Sequence, residues 1–503
     1  MKNLQPLIYA TLIVVGLFVG SLQNNSNISN KSKINNILQI VNEHYVDSMN
    51  FNRLEDDAIN TILSELDPHS SYISIKDVKS TEENMQGSFS GIGIEFNIIE
   101  DSIVVISPIS GGPSEKLGIQ SGDRIVMVEK ENVSNIGIKN EEVVQRLRGE
   151  KGSRVNISIK RRGQNDLINF TIIRDKIPLY SVDAGIMLTN DVGYIKINRF
   201  AATTYHEMMK KINILKKLGM QKLILDFRDN PGGYLHIANQ ICDEFLKAGE
   251  LIVFTKGRNR KKQETFATHN GSLENMKVIA LINEGSASAS EIVSGALQDN
   301  DRGLIIGRRS FGKGLVQEAI ELNDGSVIRL TTQRYYTPSG RCIQKNYEKN
   351  TKDYFLEQFT RIDTAYHVDS LKYTTKKGRI VYGGGGISPD IIVKRDSNLN
   401  YLQINKMMSK GWIYEFCFEK SELFKKENLT SYKQINEINI YTDFLKYVKE
   451  KDNNYKLNLG NTELKYFKNL LLATISRNLW GNDTYYMILS QNDEYINIAI
   501  NNF

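Results

Sequence analysis

Three hydroxyls, Ser286, Ser288 and Ser290, alternate with Ala287 and Ala289 in NEGSASASEI, directly after the apolar run VIALI at 278–282. A buried strand ending in an Asn-Glu-Gly turn and a small-residue helix start would set a serine hydroxyl beside the free N–H groups of a helix N-terminus. Such groups can hold a developing oxyanion. The plainer reading is that small residues let the helix pack closely. A nucleophilic serine needs a base. The histidines are His44, His69, His206, His236, His269 and His367, and no G-x-S-x-G surrounds Ser288. A Ser-His-Asp triad nonetheless stays open, because triad members lie far apart in chain order. The other candidate is a lysine. Lys313 sits between two glycines in RRSFGKGLVQEAIEL (308–322), 25 residues after Ser288 and at the mouth of an apolar strand. Desolvation there lowers an amine's pKa and lets it accept the serine proton. A Gly-flanked lysine alone is an ordinary loop lysine, and only the preceding serine cluster raises its standing. Gln317, four residues on, falls on the same face and could hold the amine.

These groups need elements that bring them together. DFRDNPGGYL (226–235) follows the strand-like KLIL, and its Gly232-Gly233 turn presents amides unhindered by Cβ atoms. It is either a second oxyanion donor or simply a strand–helix connection. From about 180 to 345, strand-like VGYIKI, KLILDF, KVIALI and GLIIG alternate with helical stretches over 203–218, over 235–247 and from about 288, the pattern of an α/β unit. Residues 87–175 are different: IGIEFNII, SIVVISPI, DRIVMVE, VNISIKR and LINFTIIR read as strands around two helices, GGPSEKLGIQSGD and EEVVQRLRG. GSFSGIGIEF opens this region. Its Gly91-Ile92-Gly93-Ile94 loop offers successive N–H groups that could capture a peptide carboxylate, or it is a plain turn.

Two helices joined near Asp47–Asn52 are expected over 34–66, and LDPHSSY (66–72) ends them with turn chemistry. At the N-terminus Lys2 precedes the apolar LIYATLIVVGLFVG (7–20) and a Ser/Asn-rich tether. No A-x-A cleavage site follows, so an uncleaved membrane anchor is favoured over a cleaved signal, and the remainder is exported. Net charge of +6 over 503 residues, without a basic stripe interleaved with aromatics, argues against nucleic acid. Cys242, Cys342 and Cys417 are too far apart for a zinc site or a disulfide framework and read as small core residues. No metal and no cofactor is implied.

NEGSASASEI followed by FGKGLVQ resembles the carboxyl-terminal processing proteases, the tail-specific serine peptidases of family S41. GSFSGIGIEF…SGGPSEKLGIQSGDRIVMVE…LRGEKGSRV is similar to their PDZ domain, and LILDFRDNPGG and YYTPSGRCIQ…GGGGISPDI resemble the flanks of their peptidase domain. The resemblance covers about 34–393, in the family's order. It implies an α/β multidomain protein: anchor 1–22, linker 23–33, helical region 34–80, PDZ domain 87–175, peptidase core 176–395 and a helical C-terminal extension 396–503 of open role. It implies a Ser-Lys dyad of nucleophile Ser288 and base Lys313, with Gln317 orienting the lysine. The N–H groups of Ala289 and of the Gly232–Gly233 turn would form the oxyanion hole, and Gly91, Ile92, Gly93 and Ile94 the carboxylate loop. Ser286 and Ser290 would only make space or cap the helix. The partners implied are protein or peptide substrates bound by their C-termini and a membrane, in the periplasm or otherwise outside the cytoplasmic membrane; self-association stays open. Segment 345–382 reads as a charged, aromatic-rich insertion. An exported PDZ scaffold with an inactive peptidase domain is the competing binding-class reading.

Overall fold

The computed structural model describes residues 33–109, 111–268, 271–348, 351–361, 369–395, 401–435 and 437–503. The apolar segment 7–20 lies outside them. Among the described residues no helix is long and apolar enough to cross a membrane.

A six-stranded sheet lies at the centre, in the order Val182–Met187, Val192–Ile197, Lys222–Asp226, Lys277–Ile282, Leu304–Gly307, Ile391–Ile392. The first pair is antiparallel and the rest are parallel. Its inner strands are apolar without alternation, as a parallel sheet covered on both faces requires. Helices Thr204–Lys217, Leu235–Phe245 and Ala289–Asp299 cover one face, where Ile195, Leu225 and Ala280 pack among Met208, Ile241 and Val293. The sequence placed both ends of the first two helices within two residues and the start of the third within one. The opposite face carries Tyr194, Ile224, Leu281 and Ile306, and is covered by Ile496 and Ala499 of helix Glu494–Asn501. The C-terminal extension therefore supplies a layer that covers this face of the central sheet.

A second, antiparallel sheet holds Val327–Tyr336 at its centre, with Leu315–Glu321 on one edge and both Ser71–Ile73 and Leu251–Lys256 on the other. The three-residue strand at 71–73 is too short to show alternation in the sequence. Helix Ile75–Gln86, which buries no side chain fully and stops at Gly87 (φ 72°), also carries too few apolar residues to be read in advance.

Residues 87–175 form a β-rich domain. Its strands Ile94–Ile99, Ser102–Pro108, Arg124–Val128, Arg154–Lys160 and Ile168–Ile173 enclose Ile103, Ile125 and Ile157 beside Val143 of helix Asn140–Leu147. It joins the core through a ribbon in which Ser88–Gly91 pairs with Asp175–Pro178.

The C-terminal helices have their own core around Phe416, Phe444, Phe467 and Leu471. They touch both neighbours. Phe418 packs with Ile99, Val104 and Ile106 of the β-rich domain. Asp483 pairs with Lys211 of helix Thr204–Lys217 at 2.7 Å. Helix Thr351–Thr360 buries Tyr354 against Phe311.

Candidate active site

Strand Lys277–Ile282 ends in the Asn283–Gly285 turn and helix Ala289–Asp299 begins one residue after Ser288. Ser288 has φ 54° and ψ −112°, a left-handed conformation that costs about 1–3 kcal/mol in a non-glycine residue and is held only where its surroundings impose it. The flanking serines impose part of it. Ser286 Oγ donates to Phe227 O at 2.8 Å and accepts from Asn283 N, while Ser290 Oγ donates to Asn230 O at 3.0 Å. Rather than merely making space, both tie the serine turn to the DFRDNPGG turn.

Ser288 and Lys313 line one cavity of about 710 Å³ with Gly232, Gly233, Gln317 and Tyr335. Lys313 Nζ donates to Gln317 Oε1 at 2.8 Å. Gln317 Nε2 in turn donates to His69 O, so LDPHSSY, read as a turn, reaches the site. Asp67 shapes that turn by accepting the N–H groups of His69 and Ser70, both at 2.9 Å. Burial, aided by Arg329, pulls the Lys313 amine below the ordinary lysine value, against the opposing pull of Asp67 and Glu291. Among the described residues Ser288 Oγ and Lys313 Nζ share no hydrogen bond; the amine rests on Gln317.

Glu291 is a residue the sequence reading passed over. Fully buried, its carboxylate accepts from Ser288 N (2.8 Å), Lys313 N (2.9 Å), Gly312 N (2.8 Å) and Ser310 Oγ (2.5 Å). Burial pushes its pKa up, against the downward pull of these hydrogen bonds. The signal was an acidic residue three positions into a small-residue helix start, the pattern of a capping box. Tyr335 adds a second tie, its hydroxyl donating to Lys313 O at 2.6 Å and to Ser288 O at 3.2 Å.

The two glycines of the oxyanion expectation differ. The N–H of Gly232 is engaged by Asn230 Oδ1 at 2.9 Å, whereas those of Gly233 and Ala289 have no partner among the described residues. Gly232 serves close approach instead. A Cβ there would lie 2.7 Å from Ser288 Cβ and 2.9 Å from Ala289 N.

His236 lines the cavity but makes no hydrogen bond to Ser288. His69 bonds Tyr354 Oη through Nε2 at 2.9 Å, and its pKa is lowered to about 4 by burial and then by the Lys313 charge. His269 and His367 lie outside the described residues.

A second groove, of about 220 Å³, runs along the β-rich domain between Ile92–Phe96 and Val144, Leu147 and Arg148. Ile92 and Gly93 N–H have no partner among the described residues, and Gly93 takes φ 75°. Gly91 stands in the connecting ribbon and Ile94 opens the strand. Arg148 pairs at 2.9 Å with Glu83 of helix Ile75–Gln86. Thr81, Glu82 and Met85 of that helix line the serine cavity.

The profile of peptidase family S41 matches residues 191–354, and a PDZ domain profile matches residues 90–172. The chain is 38% identical over 340 residues to a carboxy-terminal-processing protease of Bartonella bacilliformis, an alignment spanning 67% of this chain and 77% of that protein. It is 32% identical over 365 residues to the carboxy-terminal processing protease CtpB of Bacillus subtilis, spanning 71% of this chain and 75% of that one. Among solved structures, a photosystem II D1 C-terminal processing protease is similar with a TM-score of 0.36 and 26% identity, over 69% of this chain and 84% of that chain.

Proposed function

The chain belongs to peptidase family S41 and is a C-terminal processing serine protease with a PDZ domain, and from that premise we propose that it cleaves polypeptides by a Ser288–Lys313 dyad. The observation that carries this reading is the shared cavity, in which a half-buried serine at a strained helix start faces the same space as a desolvated lysine held by Gln317. Neutral Lys313 takes the Ser288 proton as Oγ attacks the scissile carbonyl. The N–H groups of Ala289 and Gly233 receive the oxyanion. The protonated lysine gives its proton to the leaving amine, and water then resolves the acyl-enzyme with Lys313 again as base. Closing the dyad requires the amine to swing from Gln317 toward Ser288.

The PDZ groove takes the substrate's C-terminal carboxylate on the Ile92 and Gly93 amides, with the peptide adding as a strand. The Arg148–Glu83 pair connects that groove to the helix whose next residues line the serine cavity, so binding of a tail gates cleavage. Membrane attachment through residues 7–20, with the catalytic domains outside the cytoplasmic membrane, belongs to the same reading. The inactive-scaffold reading is disfavoured because both dyad side chains are present in one cavity.

The test is cleavage of an unstructured protein by the chain from residue 33 onward, beside Ser288→Ala and Lys313→Ala. Cleavage by the parent and by neither variant supports the dyad. Full activity of Lys313→Ala overturns it, and loss of activity in His236→Ala with Lys313→Ala unimpaired would favour a histidine base. Deleting residues 87–175 tests the gate: unchanged cleavage of tailed substrates removes it.

A further inference from the structure

Beside the serine cavity lies a second cavity of about 410 Å³, and Leu315 lines both. It occupies a break in the antiparallel sheet. Strand Val327–Tyr336 is bordered on one edge by Ser71–Ile73 opposite residues 327–329 and by Leu251–Lys256 opposite residues 334–336. Among the described residues no strand pairs with residues 330–333 between them; Thr331 N–H donates to Ser70 Oγ at 3.1 Å and Gly257 approaches Thr332 O, and the cavity opens beside them. Within the break, Thr332 Oγ1 and Gln333 Oε1 are buried atoms with no hydrogen-bond partner among the described residues, and Gln333 is only 9% exposed. Buried acceptors are rarely left unmet without a reason. Lys256, Arg258 and Arg334 line the same cavity. None of these three cations has a carboxylate partner among the described residues, although their neighbours Arg260 and Lys262 are engaged by Glu318 at 2.7 Å and Glu264 at 2.6 Å. Arg334 is instead steadied by the Tyr347 hydroxyl at 3.1 Å.

We propose that this break is a substrate subsite for an acidic segment of polypeptide, whose Asp or Glu carboxylate is paired by Lys256, Arg258 and Arg334 while a substrate backbone N–H meets Gln333 Oε1. A peptide fits better than a simple anion, because only a peptide brings both a carboxylate and an amide donor. Shared Leu315 lets one extended chain occupy this subsite and the serine cavity together. The inference rests on the proteolytic reading of that cavity.

Binding and cleavage separate the two ideas. Fluorescent peptides carrying Asp and Glu at successive positions, and their Asn and Gln counterparts, are titrated onto the full chain bearing Ser288→Ala, and the same peptides are given to the parent enzyme. The expected result is tighter binding of one acidic register by about tenfold, weakening with salt. In Lys256→Gln/Arg258→Gln/Arg334→Gln the ratio between acidic and amide peptides falls to about one, and kcat/KM on the parent background follows the same order. Equal binding of the two series, or a preference that survives the triple substitution, overturns the subsite. So does binding of phosphatidylglycerol vesicles through the three cations without any peptide preference. If the acidic preference appears in binding but the parent cleaves nothing, the subsite stands and the proteolytic reading falls.

Discussion

Glu291 holds the backbone of Lys313: its Oε2 accepts the Lys313 N–H at 2.9 Å, and that same oxygen accepts the Ser288 N–H at 2.8 Å. One buried atom thus fixes the two loops that carry the proposed nucleophile and base, while Oε1 takes Gly312 N and Ser310 Oγ. Glu291→Gln keeps the shape but turns one acceptor into a donor facing N–H groups. Leaving such groups unmet costs about 1–3 kcal/mol. We expect kcat to drop by at least about tenfold and the thermal midpoint to fall, with Glu291→Ala worse on both. A variant with wild-type kcat would show that the loops hold their positions without this carboxylate.

Lys313 is the group whose titration should appear in the rate. Burial and Arg329 lower its pKa, so the reactive neutral amine forms at a lower pH than for a free lysine. Activity should rise with pH through that pKa. Replacing Arg329 by Gln removes a charge that favours the neutral form, which raises the pKa and moves the rising limb of kcat/KM toward alkaline pH. A limb that stays in place in Arg329→Gln would mean another group is being titrated.

Gly232 is constrained by contact as well as by conformation, with φ +101° and a hypothetical Cβ 2.7 Å from Ser288 Cβ and 2.8 Å from Ala287 O. Gly232→Ala should push the turn off the serine and separate the proposed oxyanion donors. By analogy with loss of a single oxyanion donor, kcat should fall about 100-fold or more. A steady-state assay on an unstructured protein reads this directly.

The candidate residues stood out because each sits where a turn or loop breaks the apolar periodicity: Ser288 after VIALI and Gly232 and Gly233 after KLILDF at strand–turn–helix junctions, Lys313 in the loop between strands Leu304–Gly307 and Leu315–Glu321. What was not legible is how those junctions are fastened. Ser286 and Ser290 bond to carbonyls about 60 positions earlier, at Phe227 and Asn230, and His69 O receives Gln317 from 248 positions away. No local pattern encodes such pairings. The glycines of the turn are visible in the sequence, but the division into a Gly232 N–H engaged by Asn230 Oδ1 and a Gly233 N–H without a partner among the described residues depends on the Asn230 side chain. The C-terminal extension carries no motif, and its meaning lies in the uncovered sheet face it meets.

His69 links acid stability to the site. Its native pKa is about 4 and its unfolded value 6.5, so the unfolded chain binds a proton that the native state refuses between those values. The native state keeps its full advantage above about 6.5 and loses it as pH falls toward 4. The loss at pH 5 is on the order of 1–2 kcal/mol. Denaturant midpoints at pH 7 and pH 5 should converge in His69→Gln relative to the parent; an undiminished pH difference in the variant would assign it to other groups.

The extension has two anchorages that substitutions can separate. Ile496, 2% exposed, lies on the sheet face with Ile224 and Leu281. An aspartate there would be a buried, unpaired charge, so Ile496→Asp should cost about 3–5 kcal/mol and lower the unfolding transition of the peptidase sheet by several degrees. Arg477 makes a part-exposed pair with Glu95 at 3.3 Å, worth about 0–1 kcal/mol, but Glu95 also lines the PDZ groove. Removing the guanidinium leaves that carboxylate uncompensated beside any bound peptide. In Arg477→Ala the thermal midpoint should stay within about 2 °C of the parent. The groove should then gain affinity for C-terminal peptides carrying a basic side chain relative to those carrying an acidic one, read by fluorescence anisotropy. An unchanged ratio would mean that the extension holds the PDZ domain without tuning what it binds.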